Sequence, residues 1–149
     1  MSLDELLESG RLHRHSATRG EIDDYLMKAR RAVHDASADV VSADNRFVIA
    51  YNGALSAATA PLVAAGYRPS AAGHHQTVFE ALPMVAEAMA EVADYFDMCR
   101  RRRHQALYGR FGQISEAETA ELVDALTAFI DQVKAWLMTE HPDLYPGAD

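Results

Sequence analysis

Apolar residues recur at three- and four-residue intervals along most of the chain, and sustained alternation of apolar and polar residues is scarce. That spacing predicts helices, not strands. A short helix covers about residues 3–9 and stops at Gly10. A second runs from about Gly20 to Ala36, with Ile22, Tyr25, Leu26, Ala29, Val33 and Ala36 on one face. A third spans about Asp44 to Ala65, carries Phe47, Tyr51, Ala54, Leu55, Ala58 and Leu62, and ends at Gly66. Its middle is rich in small residues (Gly53, Ala54, Ser56, Ala57, Ala58), which lets neighbouring helices approach closely. Pro61 removes one of its backbone hydrogen bonds. Residues 67–73 read as a loop. The longest helix is expected from about His74 to Tyr108, with Val78, Leu82, Val85, Met89, Val92, Phe96 and Cys99 as its stripe and Pro83 as a kink. Gly109 and Gly112 close it. The last helix runs from about Ser115 to Thr139, with Leu122, Leu126, Phe129, Val133, Trp136 and Leu137 inward, and His141-Pro142 terminates it.

Start signals agree with this reading. Ser2, Thr18 and Ser115 are each followed three residues later by a glutamate: Glu5, Glu21 and Glu118. That is the capping-box pattern, in which hydroxyl and carboxylate satisfy free amides at a helix start. Short connections between long helices imply an all-α antiparallel up-and-down bundle: four main helices, a short N-terminal one and no sheet. No linker or repeat divides the chain, so residues 1–149 are read as a single domain.

Composition narrows the function. A chain of 149 residues with 49% hydrophobic and 24% charged residues has the balance of an ordinary globular domain. The lone Cys99 excludes an internal disulfide and a cysteine-based zinc site, and a reduced cytoplasmic setting is expected. No apolar run reaches the roughly 18 residues of a membrane span, and the acidic start is unlike a secretory signal, so no membrane association is expected. The net charge is -8, which opposes coating by nucleic acid. The charge is uneven, however. Residues 100–110 read RRRRHQALYGR and hold five arginines, leaving 9 basic residues elsewhere against 22 acidic ones.

That segment is the main candidate for chemistry. Arg100, Arg101, Arg102 and Arg103 crowd one helical turn, and Arg110 follows. The helix dipole favours cations at a C-terminus, which is one reason for them to be there. Their mutual repulsion is better explained by an anion, and a planar guanidinium grips phosphate oxygens in pairs. His74 and His75 open the longest helix and are candidates for lining a pocket. His13 and His15 are expected in an exposed loop. The Glu-x-x-His element of carboxylate-bridged metal bundles is absent from the sequence. A histidine-only metal site from His34, His74 or His75, and His104 is left open. No glycine-rich phosphate loop or serine nucleophile elbow occurs, and Cys99 sits on the apolar stripe as a packing residue. No cofactor is expected.

The run Arg103-His104-Gln105-Ala106-Leu107-Tyr108 resembles the signature region of HEPN domains: an arginine, a polar residue, a short spacer and a histidine. The segments AYNGALSAATAPLVAAGYRPSAAGHHQTVFEALP and YFDMCRRRRHQALYGRFGQISEAE are similar to a bacterial branch of that family. The resemblance implies a homodimer with RNA or a nucleotide as ligand, and in active members metal-independent RNA cleavage in a cleft between protomers. It implies that Arg103 stabilises charge on the phosphate and that His104 fills the polar position. It also implies catalytic roles for Arg103, His104 and the residue at position 108, with His104 the substitute for a missing base. The charge of Arg100, Arg101, Arg102 and Arg110, and the helix-start position of His74 and His75, make these the expected ligand-holding residues. The departure is Tyr108, where active ribonucleases carry histidine. A phenol of ordinary pKa about 10 is a poor general base at neutral pH. The sequence therefore predicts an RNA- or nucleotide-binding module with weak or absent ribonuclease activity, a component of a toxin–antitoxin pair with a nucleotidyltransferase or antitoxin-type partner. The alternative is a non-catalytic dimeric helical-bundle interaction protein.

Overall fold

In a computed structural model describing residues 1–147, the chain orders as α1 (Leu3–Glu8), β1 (Leu12–Arg14), α2 (Arg19–Ala36), α3 (Ala43–Ala64), β2 (Tyr67–Pro69), α4 (His74–Val85), a 3-10 turn (Glu87–Met89), α5 (Ala90–Tyr108) and α6 (Glu116–Glu140). The all-helical bundle is as the apolar stripes predict. α3 is its central rod, packed on α2, α6, α4 and α5. Its face of small residues is buried, and Phe96 of α5 joins Phe79 of α4 to Phe129 of α6, with ring centroids 5.9 and 5.1 Å away. One helix, Ala43–Ala64, has the length and apolar content of a membrane span, and most of it is buried in the bundle.

Three expectations need correction. The first is the single helix from His74 to Tyr108. Pro83 weakens the hydrogen-bond ladder there, and Ala86 leaves helical geometry at φ -144°, ψ 85°. The chain turns through Glu87–Met89, burying Ala86 and Met89, and α4 packs back against α5. The second is the absence of a sheet. β1 and β2 pair antiparallel, with Leu12 opposite Pro69, His13 opposite Arg68 and Arg14 opposite Tyr67. The flanking bonds from His15 N to Gly66 O and from Ser70 N to Arg11 O, both 2.9 Å, extend the pairing. Three residues per strand are too few for alternation to register in the sequence. The third is the capping box at Thr18. Thr18 accepts from the Glu21 amide, but the Glu21 carboxylate is turned away to His15, with both oxygens 2.8 Å from Nε2. His15 is therefore partnered and not a loose loop residue. The boxes at Ser2 and Ser115 are complete.

Asp44, at the start of α3, fixes the loop that follows α5. It is 6% exposed, and its two oxygens accept from the Gly112 amide (2.8 Å) and the Ile114 amide (3.2 Å). Asp44→Ala leaves both amides without their acceptor and is expected to cost about 1–3 kcal/mol. Denaturant unfolding measures the loss, and faster amide exchange at Gly112 and Ile114 locates it. Unchanged exchange at both would contradict this role.

Candidate anion-binding cleft

The break at Ala86 creates the site. In one unbroken helix, His75 and Arg103 would stand roughly 40 Å apart. Folding α4 back on α5 brings the first turn of α4 against the last turns of α5, and the two line a cleft of about 730 Å³. Arg100, Arg101, Arg103 and His104 enter it from α5, and His74 and His75 from α4. Gly73 starts α4 in the left-handed region, at φ 68°. No side chain caps this turn among the described residues, which leaves its leading amides free for an anion.

The arginines divide by partner. Arg102 points away from the cleft to Glu118 of α6, with Nε 2.7 Å from one carboxylate oxygen and a terminal nitrogen 3.0 Å from the other. It also donates to the Gln113 carbonyl at 2.7 Å. The pair holds the Glu118 carboxyl down to about 2, chiefly through the hydrogen bonds from Arg102. Arg110, beyond the end of α5, is exposed and does not line the cleft. Arg100 and Arg101 share Asp97, at 2.8 and 3.6 Å. Among the described residues, Arg103 has no carboxylate partner. Its guanidinium lies over the Tyr51 ring, 5.5 Å from the centroid, and its Nε is buried without a hydrogen-bond acceptor.

Tyr51 lies beneath the cleft. It is fully buried on α3, and its hydroxyl is 3.0 Å from His75 Nδ1, with the two rings stacked at 5.6 Å. Burial raises the phenol well above its ordinary range, so it keeps its proton. His75 Nδ1 is its only hydrogen-bond partner among the described residues. A neutral ring that accepts from the hydroxyl at Nδ1 carries its proton on Nε2, and one that donates from Nδ1 leaves Nε2 as an acceptor. Burial holds the His75 pKa below the ordinary histidine value, and the charges of Arg103 and Arg100 add to this. Burial lowers His74 too.

The HEPN-like run splits in space. Arg103 and His104 line the cleft, whereas Tyr108 is 75% exposed and outside it, its ring 4.9 Å from that of His104. Sequence reading singled out neither Tyr51, which looks like one more residue of an apolar stripe, nor Asp97. The histidine-only metal reading is not assembled. No group of three histidine, cysteine, aspartate or glutamate side chains suited to a metal occurs among the described residues.

The depressed histidines give a pH prediction. Their unfolded forms take up protons more readily, so stability from His74 and His75 is complete above about pH 6.5 and is lost as pH falls through their lower folded values. Melting temperature should therefore drop as pH falls below about 6.5, and the double substitution His74→Gln, His75→Gln should flatten that limb. The Glu118 contribution disappears separately, below its ordinary carboxyl range and toward pH 2. An unchanged limb in the double variant would assign the loss to other groups.

The family profile for SAV_6107-like HEPN domains matches residues 36–134, a stretch that contains every element around the cleft. No curated protein and no solved structure matches the chain. A HEPN domain points to RNA-related or nucleotide-binding work, and the matched stretch covers about two-thirds of the sequence. The chain belongs to the HEPN family.

Proposed function

We propose that the chain binds RNA or a nucleotide through its phosphates in the cleft between α4 and α5, with weak or absent cleavage. The observation that carries this reading is Arg103: a guanidinium that lines the cleft and has no carboxylate partner among the described residues. Its charge is left to a ligand, and a planar guanidinium grips phosphate oxygens in pairs. The assignment of weak turnover rests on Tyr108, which takes the place of the histidine of active members and stands outside the cleft. We assign the module to a cytoplasmic homodimer that works in a toxin–antitoxin setting beside a nucleotidyltransferase or antitoxin-type partner.

A second reading has its own support. Arg100, Arg101 and Arg102 are already partnered within the chain, and Leu107, Tyr108 and Phe111 form an exposed apolar run at the end of α5. Those features suit a non-catalytic interaction protein. Gel-shift titration of RNA across a salt series separates the two. Binding at low salt that weakens steeply as salt rises supports the phosphate reading. No binding at any salt leaves the interaction reading.

A further inference from the structure

We propose that the cleft is built for a phosphate monoester, the terminal phosphate of a nucleotide or of an RNA end, and not for an internal phosphodiester of a continuous strand. This rests on the phosphate reading of the same cleft and narrows its ligand.

The first argument is charge. Arg100, Arg101 and Arg103 face the cleft, and among the described residues Asp97 is the one carboxylate bonded to them. Burial disfavours the protonated forms of His74 and His75. Three guanidiniums against one carboxylate leave a surplus of two positive charges. A monoester carries about -1.5 to -2 at pH 7. A diester carries a single negative charge and would leave the surplus half neutralised.

The second argument is the arrangement of donors. Guanidiniums come from α5, the imidazole of His75 from α4, and free amides from the first turn of α4. A monoester offers three terminal oxygens to donors arriving from different sides, whereas a diester offers two and must leave room for chain at both ends.

The third argument is what lies beyond. Past Gln76, the groove between α4 and α5 continues along Glu80, Asp94 and Asp97. Glu80 is occupied by Arg11 at 2.7 Å and Asp97 by its arginines, but Asp94 is exposed and has no ion-pair partner among the described residues. A polyanion threaded through the cleft would run into this acidic stretch. A chain end stops before it.

The test is competition against one fluorescent 5′-phosphorylated oligoribonucleotide bound to the full chain. Competitors are the same oligonucleotide without its phosphate, a 3′-phosphorylated version, adenosine monophosphate and inorganic phosphate. The expected result is an advantage of about tenfold or more for a phosphorylated end over the dephosphorylated strand, the size of one charge-assisted hydrogen bond. His75→Gln and Asp94→Asn should each shrink that ratio. Competition by adenosine monophosphate at concentrations similar to the oligonucleotide identifies a nucleotide site. Competition by phosphorylated strands alone identifies an RNA-end site. Equal affinity for phosphorylated and dephosphorylated RNA overturns the monoester proposal and leaves RNA binding intact. Failure of every probe, the labelled strand included, overturns the phosphate reading beneath it.

Discussion

Arg103→Ala is expected to weaken RNA binding at low salt by about tenfold or more, whereas Arg102→Ala, one residue earlier, should leave affinity nearly unchanged. Sequence reading assigns Arg103 the motif position and takes Arg102 as a further ligand-holding arginine. The structure separates them. Arg103 lines the cleft and has no carboxylate partner among the described residues, so its charge is available to a ligand. A charge-assisted hydrogen bond is worth about 1.5–3 kcal/mol, which corresponds to a factor of ten or more. Each phosphate contact to a single strand steepens the salt dependence by about 0.7, so the slope of log affinity on log salt should flatten by about that amount. Arg102 is turned to Glu118, with both side chains about one-third exposed. Its loss frees a carboxylate at the start of α6 and should cost at most about 1 kcal/mol of stability, because water screens the pair. Binding isotherms and denaturant melts of both variants check the contrast. Equal losses of affinity from the two substitutions would show that the arginines act as an undifferentiated basic patch.

The contrast also marks how far the sequence can be read. Helix faces were legible because burial on one side imposes a 3.6-residue period, and Ile22, Leu26 and Ala29 or Leu122, Leu126 and Phe129 display it directly. The break at Ala86 was not, because alanine carries no stop signal and the apolar stripe runs unchanged from Leu82 through Met89 to Phe96. Pro83 is the visible cue, and a proline alone does not distinguish a bend from a reversal. That one turn decides the site, since it carries His75 to Arg103. The types of residue in the cleft were therefore legible, but their company was not. Tyr51 shows why. Its spacing fits a core residue, and it is one, yet its hydroxyl is bonded to a histidine 24 residues away. Periodicity records which side of a helix is dry and says nothing of which polar atom at its edge is in use. Arg102 poses the converse problem: a run of four arginines covers every face of the helix, and only the position of α6 tells which one is spent on packing.

Gly53→Ala should destabilise the fold by about 1–2 kcal/mol, although alanine is the better helix former. A Cβ at position 53 would lie 2.5 Å from the Ala32 Cβ of α2 and 2.8 Å from Leu126 Cδ2 of α6. The two obstacles differ in kind. Leu126 can rotate its far end aside at modest cost. The Ala32 methyl is fixed to its backbone, so relief requires α2 to move away from α3, and overpacking of this type typically costs 1–3 kcal/mol. Against that stands the helix propensity of alanine over glycine, about 0.5–1 kcal/mol in the opposite direction. The steric cost is the larger, and the melting temperature should fall by several degrees, at about 2–4 °C per kcal/mol for a chain near this size. Ala32→Gly in the Gly53→Ala background removes the rigid obstacle and should recover most of the loss, a coupling that a double-mutant cycle reads directly. Greater stability in Gly53→Ala than in the wild type would mean that α2 yields without cost. RNA binding below the melting transition should survive the substitution. Gly53 faces α2 and α6, while Tyr51, two residues earlier, sits against His75 and Phe79 of α4. The same small-residue helix thus closes the bundle on one side and supports the cleft on the other, and the two roles should separate in a single variant.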